Sequence, residues 1–556
     1  MKKKNFKKWF SISLLFLPLM ASCQSEKENP AVSQTSASQQ EEEKVLNLTE
    51  TSEIPTMDSV LQRDSVSGNV MNNVFEGLYR QGEEGEIVPG MAEDEPEVSE
   101  DGMTYVFTIR DDAFWSDGSP VTAEDFVFAW RRLADPDTEA AYSYLIEDLI
   151  KNADNILAGE EDPKTLGVKA IDAKHLEAQL THALPYFKSL LTLPAFYPQN
   201  EAFFEEKGET YGTSSDDLVY NGPFVLSEWD GVGLSWVYKK NDTYWDAKNV
   251  NLDEINVDVV KENYTGLNLY YDDMVDQITL SGEAVASLQD KKELTFIPTS
   301  SVYYLKFNQE RDGKPTPLAN QHIRKGIAMA FDKKGFVSTV LQNGSIPTDA
   351  LVPQKFAYDP ETGEDFRNQN GSLLSYQKLK AQQYFAKGLK EIGKTSLQLE
   401  IIADDTAIAR ESLEYLQKQL TENLKGLDIT ITNVPFYTRL STDENQDYDI
   451  QLAGWSADYA DPLNFLELFT TDNGNNHTSF SDNVYDHLIA EAETSTLDLN
   501  KRWQTLLEAE KRLMEEAAIA PVYQQYKAIL KKDYVQDVIT STVGPEYTYK
   551  WTTIKK

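Results

Sequence analysis

The sequence is poor in the residues that most metal and nucleophilic sites require. It has one cysteine and five histidines in 556 residues, which excludes an internal disulfide framework and a zinc site built from several cysteines. No two histidines are spaced four apart, so a two-histidine site on one helix is not expected. The motifs G-x-S-x-G, G-x-x-x-x-G-K-[ST], H-E-x-x-H and C-x-x-C are absent. We therefore predict no catalytic residues, no metal and no cofactor.

Basic residues are scarce relative to acidic ones. The chain has 52 Lys plus Arg against 91 Asp plus Glu, a net charge of −39, which repels a phosphate backbone and argues against a nucleic-acid partner. Apolar residues are not scarce, since 40% of the chain is hydrophobic and 11% is aromatic. That is too much apolar material for a disordered protein, and the length suits about three or four domains.

The first 22 residues have the pattern of an export signal. Five lysines among the first eight residues precede the apolar stretch 9–20, which is too short for a bilayer that needs about 20 apolar residues. Ala21 and Ser22 lead to Cys23, and this arrangement resembles a bacterial lipoprotein signal, in which the cysteine is lipidated. An ordinary secretory cleavage site is the alternative. We predict a signal peptide over 1–22 and a lipid anchor on Cys23.

A polar segment follows the signal. Residues 23–44 are rich in Ser, Gln and Glu and contain no aromatic residue, so burial cannot offset their ordering entropy. We predict a flexible tether over 23–44. The body of the protein is then expected to be extracytoplasmic and lipid-anchored to the bacterial cell membrane.

The body alternates strand and helix patterns, which favours an α/β architecture. An apolar residue at every second position from Tyr105 to Ile109 predicts a strand. Thr122, followed three residues later by Asp125, predicts the start of a capped helix. Apolar residues at helical spacing over 503–517 predict a long helix near the C-terminus.

Two stretches are predicted to connect separate lobes. Residues 311–317 are polar and rich in turn formers, and residues 520–523 follow the long C-terminal helix. If both stretches join the same two lobes, they form a hinge with a ligand bound between the lobes.

The acidic residues leave other interpretations open. A carboxylate pair could hydrolyse a glycoside, so a surface-attached hydrolase is a distant alternative, although no spacing selects a pair. Asp447, Asp449, Asp458 and Asp461 lie close in sequence but lack EF-hand spacing, so calcium binding is not favoured. A surface-adhesion role would require a large exposed patch and no closing cleft.

Five segments, in order, resemble one family. Residues 117–126, followed by Trp130-Arg131-Arg132, resemble the signature of peptide-binding lipoproteins of ABC importers, the bacterial extracellular solute-binding proteins of family 5. Four further segments agree in order and spacing: Val74–Leu78, Asn221–Phe224, Gly454–Pro462 and Ala518–Tyr523. The resemblance extends from about residue 45 to 556 and is greatest to the oligopeptide-binding branch.

The resemblance implies an α/β fold of the periplasmic-binding-protein-like type II. Two lobes with a hinge and an extra inserted domain are expected, three domains in all. Lobe I would be discontinuous, domain II would be inserted into it, and lobe II would form domain III. The expected ranges are 45–88, 213–311 and 526–556 for lobe I, 89–212 for domain II, and 312–525 for lobe II.

The resemblance also implies ligand-binding residues. Asp458, three residues after Trp455, matches the aspartate that binds a peptide's α-ammonium, and a simple turn residue is the alternative. Trp455 is expected to form a wall of the cleft, and an exposed strand edge is expected to bind the peptide backbone. Further expected contacts are Tyr303 and Tyr304 and, more weakly, Tyr142, Asn268, Tyr270, Phe436 and Tyr523.

One position departs from the family pattern. Leu452 stands where a family member has a basic residue that helps to fix peptide length or the C-terminus. That inference does not transfer to this chain, and the nearby Arg439 is the only substitute considered. The preferred peptide length stays open.

We expect a lipid-anchored monomer without enzymatic activity. It would bind short peptides with a free N-terminus and deliver them to the permease subunits of an ABC importer. A dedicated receptor for a single signalling peptide is the alternative.

Overall fold

The computed structural model describes residues 43–184, 187–471, 473–495 and 498–556. The predicted signal peptide, the predicted anchor on Cys23 and most of the predicted tether lie outside these residues and stay predictions. Within the described ranges, no helix combines the length and the apolar character needed to cross a membrane.

Eleven strands of the described chain form one mixed sheet. The strands are β1 Val45–Glu50, β2 Phe224–Ser227, β3 Ser235–Lys240, β4 Glu254–Val259, β5 Gln277–Leu280, β6 Leu294–Phe307, β7 Ile346–Pro347, β8 Leu397–Asp404, β9 Leu427–Val434, β10 Ile450–Trp455 and β11 Ile519–Lys531. Their spatial order is β9-β8-β10-β6-β11-β5-β1-β4-β3-β2, with β7 beside β11. Strand β1 is parallel to β4, whereas β6 is antiparallel to both β10 and β11.

Helices connect these strands, as the α/β class requires. The longer ones are α1 Ser65–Val74, α2 Ala123–Ala134, α3 Asn263–Tyr271, α4 Gln321–Ala328, α5 Lys378–Glu391, α6 Ala407–Asn423, α7 Phe436–Glu444, α8 Asn483–Thr494 and α9 Leu499–Glu516. Shorter helices are Ala153–Leu157, Phe187–Leu190, Glu201–Lys207, Glu283–Ala286, Lys333–Phe336, Phe366–Asn370 and Leu463–Leu466.

Smaller sheets lie beside the large one. A four-stranded antiparallel sheet consists of Glu97–Val98, Thr104–Thr108, His175–Gln179 and Val168–Ala170. Two-stranded sheets pair Tyr79–Gln81 with Ile87–Pro89, Glu310–Arg311 with Lys314–Pro315, Val535–Gln536 with Thr553–Ile554, and Ile539–Thr540 with Tyr547–Thr548.

The local sequence patterns are confirmed. The alternating apolar residues form the strand Thr104–Thr108. Helix α2 starts after Thr122, whose backbone N–H donates to Asp125 Oδ2 at 2.8 Å, as in a capping box. Helix α9 ends at Ala517, which adopts a left-handed conformation.

Buried apolar side chains form three clusters. The first contains buried side chains from Leu46 to Val257 together with Tyr459, Val535 and Tyr549, and the second contains buried side chains from Val302 to Tyr523. The third is small and surrounds α3. Trp455 packs against both large clusters, so it lies where they meet. We call the parts of the chain around the first and second clusters the two bodies.

Two neighbouring strands run between the clusters. Strand β6 begins in the third cluster at Leu294 and enters the second at Val302, after a register shift that follows Pro298. Strand β11 pairs antiparallel with it and returns from the second cluster to Ala528 in the third. The two connections are therefore adjacent.

The stretch 311–317, predicted to connect two lobes, overlaps a hairpin in the structure. Residues 310–315 form this hairpin, and it follows Phe307, which belongs to the second cluster. The connection at 311–317 and the domain boundaries given above stay predictions.

A buried acidic residue ties the N-terminal body together. Glu76 has no exposed side-chain surface, and its carboxylate accepts hydrogen bonds from Arg80 at 2.7 Å and Tyr244 at 2.7 Å. Trp245 Nε1 donates to it at 2.6 Å. Because Arg80 is equally buried, loss of the carboxylate would leave a buried guanidinium without its counter-charge.

We expect Glu76→Gln to lower the free energy of unfolding by about 3–5 kcal/mol, since one partner of a buried ion pair is removed. Urea-induced unfolding of residues 23–556 measures this. The control is Glu95→Gln, which removes an exposed pair with Lys188 and should cost less than about 1 kcal/mol. Similar losses in both variants would contradict a structural role for the Glu76 network.

Candidate functional site

A cavity of about 400 Å³ lies between the two large clusters, within the size range of ligand pockets. One wall comes from the start of α1, Tyr142 and the segment 193–195. The other comes from Tyr303, Phe436 and residues 452–456. The cavity is therefore bounded by residues of both bodies.

Two neighbouring strands of the large sheet, β8 and β10, separate at this cavity. Strands β8 and β10 pair only where Ile401 and Ile402 meet Ile450 and Gln451. Beyond that point the ends of both strands line the cavity. Among the described residues, 452–455 pair with β6 alone, so one edge of β10 is left with unpaired backbone groups in the cavity.

Asp458 lies just after this strand edge and is contacted from both bodies. Its Oδ1 accepts from the Tyr142 hydroxyl at 3.2 Å, and its Oδ2 accepts from the Tyr144 hydroxyl at 3.1 Å. Its backbone N–H donates to Asn464 Oδ1 at 2.9 Å, an atom that also accepts from Trp455 Nε1 at 3.2 Å. These contacts fix the position of the carboxylate by neutral donors only.

The charge of Asp458 is uncompensated. Within the described residues, Asp458 has no ion-pair partner, and the removal of its carboxylate from bulk water raises its pKa to about 6 despite hydrogen bonds from Asn464, Tyr144 and Tyr142. A buried anion of this kind is stabilised by a cation supplied from outside the protein.

Aromatic rings line the cavity on both sides of the strand edge. The rings of Tyr303 and Tyr523 stack at a centroid distance of 4.7 Å and an angle of 5°. Tyr303 also lies over Gly454, where a Cβ atom would come within 2.9 Å of the ring. The glycine therefore makes room for Tyr303, and Tyr142 approaches Trp455 with centroids 6.4 Å apart.

The cationic side chains that line the cavity all have acidic partners. Lys306 and His477 both contact Asp443, and Arg439 Nε donates to Asp404 at 2.5 Å. Burial alone would raise the pKa of Asp443, but Lys306 and His477 hold it well below its usual range. The remaining pairs are Arg63 with Glu444, Lys261 with Asp405, and Lys527 with Glu546.

The structure brings together seven of the nine residues predicted to contact a peptide. Those that line the cavity are Tyr142, Tyr303, Tyr304, Phe436, Trp455, Asp458 and Tyr523. Asn268 and Tyr270 do not line it. Asn268 is exposed on α3, and Tyr270 is buried in the third cluster beneath Lys532. The structure therefore does not bring these two residues together with the other seven.

Arg439, considered as a substitute for the basic residue missing at Leu452, does line the cavity. Its guanidinium is already engaged by Asp404 and by Gln451 Oε1 at 3.0 Å. Its role toward a peptide stays a prediction.

Sequence reasoning missed several residues of the site. Tyr144, two positions after Tyr142, and Asn464, six positions after Asp458, contact the Asp458 carboxylate without lining the cavity. Residues 544–547 join the wall from the C-terminus, and Asp64 joins it from the start of α1. Spacing alone gives no signal for them, because they meet only when distant segments pack.

Comparison with known proteins identifies the family. The sequence profile described as "Bacterial extracellular solute-binding proteins, family 5 Middle" matches residues 86–477. The chain belongs to this family. This confirms the resemblance found in the sequence, and the type II α/β fold is confirmed by the structural similarity described next.

Individual members are similar over almost their full length. A "Dipeptide-binding protein" of Lactococcus lactis is 33% identical over 526 residues, which cover 92% of this chain and 95% of the relative. The structure "Listeria monocytogenes OppA bound to peptide" is 45% identical with a TM-score of 0.90, over 92% of this chain and 99% of that one. The pheromone receptor PrgZ, in a structure that describes its peptide binding, is 37% identical with a TM-score of 0.88, over 92% of this chain and 100% of that one.

The raised pKa of Asp458 predicts a pH-dependent effect on stability. The pKa of this carboxyl is about 6 in the folded protein and 3.8 for the ordinary group. Its contribution to the free energy of unfolding is therefore fully present below pH 3.8 and is lost as the pH rises through about 6. Asp458→Asn should therefore stabilise the ligand-free protein by about 1–3 kcal/mol at pH 8 and by little at pH 4. Urea unfolding across this pH range measures the difference.

Asp443→Asn is the matched contrast within the same cavity. It should destabilise the protein by about 3–5 kcal/mol at pH 8, because Lys306 would lose its buried partner. If both substitutions change the free energy of unfolding in the same direction at pH 8, the electrostatic description of the cavity is wrong.

Proposed function

We propose that this protein is a peptide receptor that binds oligopeptides between its two bodies and delivers them to an ABC permease. The observation that supports this best is Asp458, a fixed carboxylate without a counter-ion, placed beside an unpaired strand edge in a cavity of ligand size. These two features match the two groups that all unmodified peptides share, a free α-ammonium and a backbone of N–H and C=O groups.

The strand edge accounts for binding without sequence preference. A peptide added as a strand beside 452–455 forms backbone hydrogen bonds that do not depend on its side chains. Each such bond contributes about 0.5–1.5 kcal/mol net. The aromatic rings of Tyr303 and Trp455 offer broad apolar contact to side chains of different sizes.

Asp458 accounts for the orientation of the peptide. An ammonium that replaces water beside this carboxylate forms a charge-assisted hydrogen bond worth about 1.5–3 kcal/mol. Since Tyr142 and Tyr144 reach the same carboxylate from the opposite body, the bound amino terminus would lie where the two bodies close.

A dedicated receptor for one signalling peptide is the second candidate. The similarity to the pheromone receptor PrgZ favours it. The oligopeptide interpretation has the better support, because the features described above recognise groups common to all peptides and because relatives over most of the chain are dipeptide- and oligopeptide-binding proteins.

Two measurements separate the binding candidates. Native mass spectrometry of the protein as purified should detect a mixture of co-purified peptides, and calorimetry with a pool of peptides of about two to ten residues should show binding. One sequence bound far more tightly than its scrambled versions would favour the signalling receptor. No heat from any peptide, with turnover of a glycan, would instead favour the hydrolase.

We expect N-acetylation of a bound peptide to weaken its binding by about 1.5–3 kcal/mol, since the charged partner of Asp458 is lost. Asp458→Asn should weaken the binding of the free peptide by a similar amount and leave the binding of the acetylated peptide unchanged. Kd values from calorimetry, combined in a double-mutant cycle, measure these differences. Asp447→Asn, at a side chain 80% exposed, is the control. Equal affinity of the wild-type protein for free and acetylated peptide would exclude Asp458 from this role.

We also propose that the chain is anchored by a lipid on Cys23. The lipoprotein-like signal supports this, and a membrane-attached receptor would stay close to its permease. In a bacterial expression host, Cys23→Ser should move the protein from the membrane fraction to the soluble fraction, and mass spectrometry of the wild type should find the added lipid on an N-terminal cysteine. A soluble wild-type protein with an unmodified cysteine would contradict the anchor.

A further inference from the structure

Helix α5 carries a basic face in a strongly acidic protein. Residues 378–394 contain five lysines and one acidic residue, Glu391, whereas the whole chain has a net charge of −39. With about 3.6 residues per turn, Lys380, Lys387 and Lys390 lie within about 80° of one another around the helix axis, and all three are exposed. We call these three side chains the lysine face.

The opposite side of α5 holds the helix on the second body. Phe385, Gly388 and Leu389 are buried. A Cβ atom on Gly326 of α4 would come within 2.7 Å of Phe385, and a Cβ atom on Gly388 would come within 2.7 Å of Ile323, which also belongs to α4. The two helices are therefore in close contact, and the lysine face lies on a firmly packed element.

The lysine face has little counter-charge of its own. Within the part of the chain that the structure describes, Lys380 and Lys390 have no ion-pair partner, and Lys387 approaches Glu391 only at 3.9 Å. The Glu391 carboxylate is instead engaged at α4, where it lies 2.8 Å from His322 Nδ1. This differs from the cations that line the cavity, each of which has an acidic partner.

Exposed apolar side chains lie beside the lysines. Leu379 is 75% exposed, and its place on the helix is about 20° from that of Lys390. Tyr376, just before the helix, is 37% exposed. Leucine and tyrosine next to lysines are typical of a helix that lies at a lipid surface, where apolar side chains enter the headgroup boundary and lysines attract anionic lipids.

The net charge of −39 does not prevent contact with an anionic surface. At about 0.1 M salt the Debye length is about 10 Å, so charges on distant parts of the protein are screened and the local charge decides. Each lysine that reaches an anionic bilayer contributes to binding. The proposed lipid on Cys23 would raise the local concentration of the protein at such a surface.

We propose that the lysine face of α5 docks on the phosphate headgroups of an anionic phospholipid bilayer and so holds the second body against the membrane. The lysines supply charge complementarity, and Leu379 supplies apolar contact. This interaction goes beyond peptide binding. It draws on the lipid anchor, itself a proposal, only for proximity.

Vesicle co-sedimentation tests the proposal on the mature chain, residues 23–556, with Cys23→Ser so that no attached lipid contributes. Vesicles of equal parts phosphatidylglycerol and phosphatidylcholine should bind this protein at about 0.05 M NaCl, and binding should fall at least about tenfold at about 0.5 M NaCl because the charges are screened. Vesicles of phosphatidylcholine alone should bind at least about tenfold less at the lower salt concentration. No binding to the anionic vesicles, or equal binding to both kinds, would overturn the proposal.

The triple variant Lys380→Gln, Lys387→Gln and Lys390→Gln should lower binding to the anionic vesicles at least about tenfold, since each lysine at the surface is worth about fivefold. Glutamine and lysine have similar helix propensities, so circular dichroism should show an unchanged fold. Peptide binding should also be unchanged, because the lysine face does not line the cavity.

A matched control replaces three exposed lysines from other parts of the chain, namely Lys151, Lys248 and Lys292, by glutamine. It removes the same charge and should change vesicle binding less than about twofold, because these lysines are not on α5 and are screened from a surface that touches it. Equal losses in the two triple variants would assign the effect to net charge and overturn the role of the lysine face.

Self-association is the competing outcome. If sedimentation velocity finds a concentration-dependent dimer that the α5 triple variant abolishes, while anionic vesicles bind neither protein, the face contacts a second copy and the membrane proposal is wrong. Calorimetry with peptides on the same protein tests the cavity separately, so failure of vesicle binding is distinguishable from failure of the receptor function.

Discussion

The site depends on a carboxylate that the protein holds in place but does not neutralise. Tyr142 and Tyr144 from one body and Asn464 from the other bind Asp458 through neutral groups. Neutral donors fix the direction of the carboxylate while leaving its charge available. An arginine or lysine in the same place would have stabilised the protein and removed the reason for a cationic ligand to bind.

The cationic side chains of the cavity, unlike Asp458, are paired within the protein. Lys306, Arg439 and Lys527 each contact an acidic side chain, so these cations serve the packing of the walls. Only where a charge is left without a partner does the cavity gain a preference for ligand charge. The contrast between paired and unpaired groups is therefore more informative than the net charge of −39 for the whole chain.

Two neighbouring strands connect separate clusters of the large sheet. Strands β6 and β11 run side by side between the second and third clusters. Two connections of this kind permit a hinge motion with little loss of internal packing. The contacts of Tyr142 and Tyr144 with Asp458 lie across the cavity, where closure brings the bodies together.

The sequence by itself determined the α/β class, the strand Thr104–Thr108, the capped helix α2 and the long helix α9, because these depend on periodicity and on capping within one segment. The family segments also indicated Asp458 and Trp455. The tertiary structure alone decided that Asn268 and Tyr270 lie away from the cavity and that Asp64 belongs to its wall. The physical reason is that burial and charge compensation arise between segments hundreds of residues apart, and no spacing within the chain encodes which carboxylate will lack a partner.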